Sequence, residues 1–285
     1  MTEAPSSGLP SRSALLVAGC RHLAADHTGA ELLCSDPFAR LFVDDEALDA
    51  ARANNQLQRV VWLRTRYIDD AVVTFTERHR DAQVLLLGAG LDMRAFRMSL
   101  PCSFFEVDTA STLAFKDGVL EMAGIDSTGR RATVPLELGV DRLGPALCAA
   151  GFDPHRATIV IWEGVVNYLD NDACEATLLE IGQIVPPDSL VLADYVESAW
   201  YSDDFVAATR PLARALGDGG ERLQSGLTNV KRSLSAAGFE MIDDEAVELL
   251  ASRYAMPVRP RFYPSRIFTA PVSYTHLRAH ETGRN

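Results

Sequence analysis

QVLLLGAG, residues Gln83 to Gly90, carries an unbroken apolar run from Val84 that ends in two glycines separated by one residue. A run of that length without alternation reads as a β-strand covered on both faces, and the glycines read as the tight turn that follows it. Two further stretches repeat the pattern, ATIVIWEG (Ala157 to Gly164) and SLVLADYV (Ser189 to Val196). Weaker strand candidates lie at SFFEVD (Ser103 to Asp108), RATVPLEL (Arg131 to Leu138), GFEMIDD (Gly238 to Asp244) and SRIFTA (Ser265 to Ala270). Helical patterns fall between them at Ser111 to Ala123, at Arg142 to Ala150, and at Asp172 to Ile184, where Asp172 is the expected cap and Pro186 the stop. A last helix is expected from Glu245 to Tyr254. Strand and helix therefore alternate, which predicts an α/β fold with a doubly wound, mostly parallel seven-stranded sheet.

Outward from that core, the first 80 residues contain no convincing strand. DPFARLF, DEALDAARANNQ and RTRYIDDAVVTFTERHR each read as amphipathic helix, so residues 1–80 are expected to form an N-terminal helical cap on a core spanning 81–271. An insertion is expected at about 199–227, around the loop run Gly217 to Gly220. The segment Val272 to Thr282 (VSYTHLRAHET) resembles one reading frame of a transposase sequencing adapter, so residues 272–285 are set apart as a non-native tail.

Bulk composition narrows the partners. The 285 residues are 47% hydrophobic and 23% charged, which suits a globular chain with a large core. The formal net charge is -12, and -13 without the tail, which takes Arg278, Arg284 and Glu281 with it. Such a balance speaks against nucleic acid as the partner and favours a small-molecule substrate. Five scattered cysteines without a CxxC pair fit a reducing cytoplasm, and no stretch has the length and apolarity of a membrane helix. The histidines lack metal-ligand spacing, so no metal is expected.

Open α/β sheets bind ligands beyond the carboxyl ends of their strands. Four successive ends here carry glycine or acid: Gly88 and Gly90 with Asp92, then Glu106 to Asp108, then Glu137-Leu138, then Glu163-Gly164. Asp108, 18 residues beyond Gly90, is placed to accept hydrogen bonds from a ribose, with a cap for the following helix as its alternative. A dinucleotide fingerprint wants a third glycine where Met93 stands, so a nicotinamide-dependent oxidoreductase is the weaker reading.

These motifs, in order, resemble the leucine carboxyl methyltransferase family in its broad sense, which includes bacterial O-methyltransferases. The resemblance rests on DPFARLF, RTRYIDD, LGAGLDMR (Leu87 to Arg94), FEVD (Phe105 to Asp108), Phe115-Lys116, VPLEL (Val134 to Leu138) and WEGVVNYL (Trp162 to Leu169). It departs from the usual family pattern at Met93, where Thr is common, and at Glu137, where Asp is common. The resemblance implies a class I methyltransferase of Rossmann-like fold with S-adenosyl-L-methionine as cofactor. It implies that Arg64, with Arg66 as a possible helper, holds the cofactor carboxylate, that Gly88, Gly90 and Asp92 pass close to the same moiety, and that Asp108 binds ribose. The resemblance further implies that Glu137 and Leu138 flank the adenine and that Glu163 lies near the sulfonium.

The acceptor is expected to be a small molecule methylated on a carboxylate or hydroxyl oxygen. Tyr168, Asp194 and Tyr195, at or just beyond strand ends, are the candidate catalytic groups on the acceptor side. A non-catalytic module that only binds the cofactor is the remaining alternative.

Overall fold

A computed structural model describes residues 10–27, 29, 33–197, 224–256 and 265–273. Seven strands form one sheet: β1 (Gln83–Leu87), β2 (Ser103–Asp108), β3 (Ala132–Pro135), β4 (Thr158–Trp162), β5 (Leu190–Val196), β6 (Asp243–Ala246) and β7 (Ser265–Pro271). Their order is β3-β2-β1-β4-β5-β7-β6. The first five are mutually parallel, and β7 runs antiparallel between β5 and β6. The order reverses between β1 and β4, so a crevice opens beyond Leu87 and Trp162.

Side-chain alternation divides the core in two. Val84, Leu86, Phe104, Ile159, Ile161, Leu192 and Ile267 face the helices α1 (Arg12–Leu23), α2 (Asp45–Ala53) and α3 (Asn55–Arg78), with α4 (Arg94–Arg97) and α5 (Ala110–Met122). Leu85, Leu87, Phe105, Val160, Trp162, Val191, Tyr195 and Phe268 face α6 (Leu143–Ala149), α7 (Asn171–Ile184) and α8 (Val230–Ala236). A short α9 (Val247–Arg253) returns to the first face through Val247, Leu250 and Ala251. That parity fixes where the polar strand-end residues point: Glu106, Asp108, Glu163 and Asp194 continue the first face, and Tyr195 the second.

Several element boundaries differ from the sequence reading. DPFARLF forms only a 3-10 turn over Ala39–Leu41. The run DEALDAARANNQ splits, because Asn54 ends α2 and accepts a hydrogen bond from Leu57 N to start α3. Asp170 caps α7 in place of Asp172, accepting from Ala173 N at 2.8 Å. GFEMIDD follows β7 from Phe239, which bridges Val272, but regular β6 begins only at Asp243. Of the expected insertion, residues 199–223 lie outside the described residues. Of the tail, Val272 and Ser273 are described; their amides donate to Ser189 O and Gly238 O, bonds that depend on backbone alone. Among the described residues, no helix is long and apolar enough to cross a membrane.

Candidate functional site

Beyond β1 the chain turns through Gly88 and Gly90, both at positive φ (63° and 48°), a region that glycine enters without steric cost. A Cβ on Gly88 would overlap the Val165 side chain, so the loop after β4 lies directly on this turn. Asp108, at the end of β2, accepts from Gly90 N through Oδ2 and from Thr109 N through Oδ1, each at 2.7 Å. Thr109, not Asp108, caps α5, its side chain accepting from Thr112 N. The cap alternative for Asp108 is thereby removed, and each carboxylate oxygen keeps a lone pair for a hydroxyl donor.

The first face carries a continuous network of charge. Arg64, buried on α3, donates from Nε to Glu163 Oε1 at 2.9 Å and from Nη1 to Asp194 Oδ2 at 2.6 Å. Its Nη2 lies against Gly164, where a Cβ would come within 3.3 Å. The second oxygen of Asp194 accepts from Gly164 N at 2.6 Å. Arg94, only 1% exposed, donates to Glu163 Oε2 (2.7 Å), to Asp69 Oδ1 (2.7 Å) and to Asp92 Oδ2, while its own amide donates to Asp92 Oδ1. Arg97 completes the group with two bonds to Asp69.

Electrostatics follow from that wiring. Burial works to raise the Asp92 carboxyl, but Arg94, then Arg21, Arg97 and Lys116, outweigh it and hold the pKa down at about 2. Glu163 is lowered on the same balance, burial against Arg94 and Arg64. Asp194 goes the other way: burial raises it in spite of Arg64 and the Gly164 amide.

Behind the turn, fully buried Lys116 of α5 donates to both oxygens of Glu106 at 2.9 Å and to the Asp92 carbonyl. Lys116 therefore ties the glycine turn to β2 and α5. Arg94, Asp69, Arg97 and Glu106 were not foreseen as site residues. The available signal was charge inside apolar context: Glu106 within a buried strand, and Arg94 and Arg97 one helical turn apart beside it.

The remaining expected residues lie apart from this charged group. Arg66, two positions from Arg64 and so on another side of α3, pairs with Asp70 and stacks over Tyr254. Tyr195 sends its hydroxyl to Asp244 at 3.0 Å on the second face. The structure thus brings neither to the Arg64–Glu163–Asp194 group, because helix and strand periodicity turn them away. Glu137 is exposed in the turn after β3, its amide donating to Asp141, and Leu138 is half-buried against the α6–α7 side. Tyr168, half-buried on the 3-10 turn Val166–Tyr168, receives Gln224 Nε2 at its carbonyl.

The residues present fit an S-adenosyl-L-methionine site. Gly88 and Gly90 leave a backbone cradle, Asp108 offers acceptors at its rim, and Arg94 Nη2 is a buried donor without a partner among the described residues. The leucine carboxyl methyltransferase family model matches residues 14–182, more than half the chain. The chain belongs to the leucine carboxyl methyltransferase family. A relative from Mycolicibacterium vanbaalenii, provisionally named an S-adenosyl-L-methionine-dependent methyltransferase, is 32% identical over 229 residues, covering 72% of this chain and 74% of its own. A Frankia alni protein with the same provisional name is 36% identical over 199 residues, 65% of this chain and 69% of its own. Among solved structures, a protein from Thermobifida fusca, provisionally named a methyltransferase, superposes with a TM-score of 0.61 at 13% identity, over 94% of this chain and 97% of its own. A DUF574 family protein from Streptomyces avermitilis gives 0.60 at 14% identity, over 92% and 98%. Those two likenesses concern the fold. As a member of this family the protein is an S-adenosyl-L-methionine-dependent methyltransferase of class I, Rossmann-like architecture.

Proposed function

We propose that the protein methylates an oxygen of a small organic acceptor, and that the acceptor is a carboxylate. The observation that carries this is the state of Asp194. Both of its oxygens are engaged, by Arg64 Nη1 and by Gly164 N, and its side chain is buried. Each oxygen keeps a lone pair, but a general base must reach the proton it takes, and this carboxylate is buried and ion-paired to Arg64. Glu163 is likewise held between two arginines. A carboxylate acceptor is already ionised at neutral pH and asks for no base.

When bound, the cofactor supplies the methyl group on a sulfonium, whose departure leaves a thioether. The chain's own residues bind and orient. Asp108 accepts the ribose hydroxyls, Gly88 and Gly90 let the backbone approach, and Glu137 and Leu138 flank the adenine. Arg64 offers Nη2 to the cofactor carboxylate while Glu163 and Asp194 fix its plane. Tyr168, on the loop that covers Gly88, is the acceptor-side group left to contact the substrate, and its role in this reading is contact and exclusion of water.

The test is methyl transfer from labelled S-adenosyl-L-methionine to a panel of small carboxylic acids and phenols. The expected product is an ester cleaved by mild alkali, and Tyr168→Phe should keep most of the activity. Label recovered in nucleic acid or in an alkali-stable product overturns the proposal, as does a loss of about a hundredfold in Tyr168→Phe, which would make the tyrosine a proton acceptor. Calorimetry with S-adenosylhomocysteine and NAD separates off the oxidoreductase alternative: micromolar binding, about -8 kcal/mol, is expected for the first alone.

A further inference from the structure

Val165 joins the glycine turn to the rest of the carboxyl edge of the sheet. Its side chain fills the space that a Cβ on Gly88 would need, so it packs directly on the turn that ends β1. The loop that carries it, Gly164 to Leu169, is anchored to β5 on either side of Val165. Before it, Gly164 N donates to Asp194 Oδ1 at 2.6 Å; after it, Val196 N donates to Asn167 Oδ1 at 3.0 Å. Asp194 and Val196 are two residues apart at the end of β5, so one strand end holds both flanks of Val165.

Half-buried Asn167 also meets the chain that leads into α8. Its carbonyl accepts from Gln224 N at 2.7 Å, and the Leu169 carbonyl accepts from Gly226 N at 3.0 Å. The step is two residues on both sides, the spacing of a short parallel pairing. Gln224 Nε2 donates to Tyr168 O at 3.0 Å, and Asn171 Oδ1 accepts from both the amide and the hydroxyl of Thr228. Gly226, at a φ of 54°, permits the close approach: a Cβ there would come within 3.2 Å of Val166 O. Residues 224–228 therefore brace the loop along its length, and the Asn167 side chain fastens the braced loop to the sheet.

None of the binding roles above draws on Asn167. We infer that Asn167 is a positioning residue for the cofactor: its side chain keeps Val165 seated on Gly88 and so holds the glycine turn in the shape that S-adenosyl-L-methionine meets. A turn ordered before binding loses less conformational freedom when the ligand arrives. The effect extends to the ribose acceptor, because Gly90 N of the same turn donates to Asp108 Oδ2 at 2.7 Å. Asn167 acts here through Val165 and the loop backbone. This role concerns the cofactor and not the acceptor, so its failure leaves the carboxylate-acceptor proposal standing.

Binding of S-adenosylhomocysteine tests it with no acceptor present. Asn167→Ala removes the oxygen that Val196 N meets and should weaken calorimetric affinity about fivefold to tenfold, the size of one hydrogen bond's contribution. Asn167→Asp keeps that oxygen and should stay within about twofold of the unaltered protein. Hydrogen exchange at the Gly90 and Asp92 amides of the ligand-free Ala form should be faster, a local opening that a merely structural asparagine would not produce. Coupling is reciprocal, so the ligand must steady the loop as much as the loop steadies the ligand. In the unaltered protein, exchange at the Val196 amide should therefore slow about fivefold or more when S-adenosylhomocysteine is added. Unchanged affinity in Asn167→Ala overturns the inference, as does an Asp form as weak as the Ala form. Exchange at Val196 that ignores the ligand overturns it too, and that arm needs no variant, so a poorly folding Ala form leaves the test intact.

Discussion

Replacing Arg94 by Met removes the cation at the centre of the buried network while keeping an unbranched side chain of similar length. Arg94 is 1% exposed, and its side chain donates to carboxylates on three elements: Asp69 on α3, Asp92 in the glycine turn and Glu163 after β4. Asp69 retains Arg97 and Glu163 retains Arg64, but among the described residues Asp92 keeps only the amide of residue 94 as a direct partner. Leaving one buried charge without its counterion costs about 3–5 kcal/mol. For a chain of this size that lowers Tm by about 10 °C. The loss should also depend on pH. In the unaltered protein Asp92 sits at about 2 and Glu163 is lowered. Their stabilisation is fully present above the unfolded carboxylate range of about 4 and fades as pH falls toward 2. Without Arg94, burial becomes the dominant influence and pushes both carboxyls up, so the variant is relieved by protonation as pH falls. The stability gap should be widest at pH 8 and narrow toward pH 5.5, as read by urea unfolding at both. A gap below about 1 kcal/mol, or one that does not change with pH, refutes the claim that Arg94 is the counterion of this network.

Three further outcomes are expected. Gly88→Ala should lower stability by about 2 kcal/mol and weaken S-adenosylhomocysteine binding at least tenfold, since the added methyl overlaps Val165 and the residue is held at positive φ; unchanged calorimetric affinity would place the cofactor elsewhere. Tyr195→Phe should cost about 1 kcal/mol of stability in chemical denaturation through its lost bond to Asp244, with cofactor affinity unaltered; weakened affinity would return this tyrosine to the site. Truncation after Ser273, which retains the amide bonds of Val272 and Ser273, should leave the melting temperature unchanged; a fall of several degrees would mark the remaining tail as packed, native sequence.

Fold and site were not equally legible in the sequence. Apolar continuity at Gln83 to Leu87, Thr158 to Trp162 and Leu190 to Val196 reports burial on both sides, and burial on both sides is a property each segment carries locally. The glycine turn, too, is local, because φ at Gly88 and Gly90 concerns single residues. Boundaries such as Asp170 against Asp172, or the break at Asn54, were less legible, since several residues of capping type compete within a few positions and packing chooses among them.

The sequence by itself therefore determined the alternation of strand and helix, the strand ends that carry glycine and acid, and the resemblance that names the cofactor. Only the tertiary structure decided which charges meet. Arg64 and Asp194 are 130 positions apart, and Arg64 and Glu163 are 99. Their contact depends on α3 crossing the carboxyl edge of the sheet on the face toward which Glu163 and Asp194 point. The same parity sends Tyr195 to the opposite face and, on the helix, turns Arg66 toward Asp70. A one-residue step inverts direction on a strand and a two-residue step turns a helix by about 200°, so neighbours in sequence part company once the elements pack.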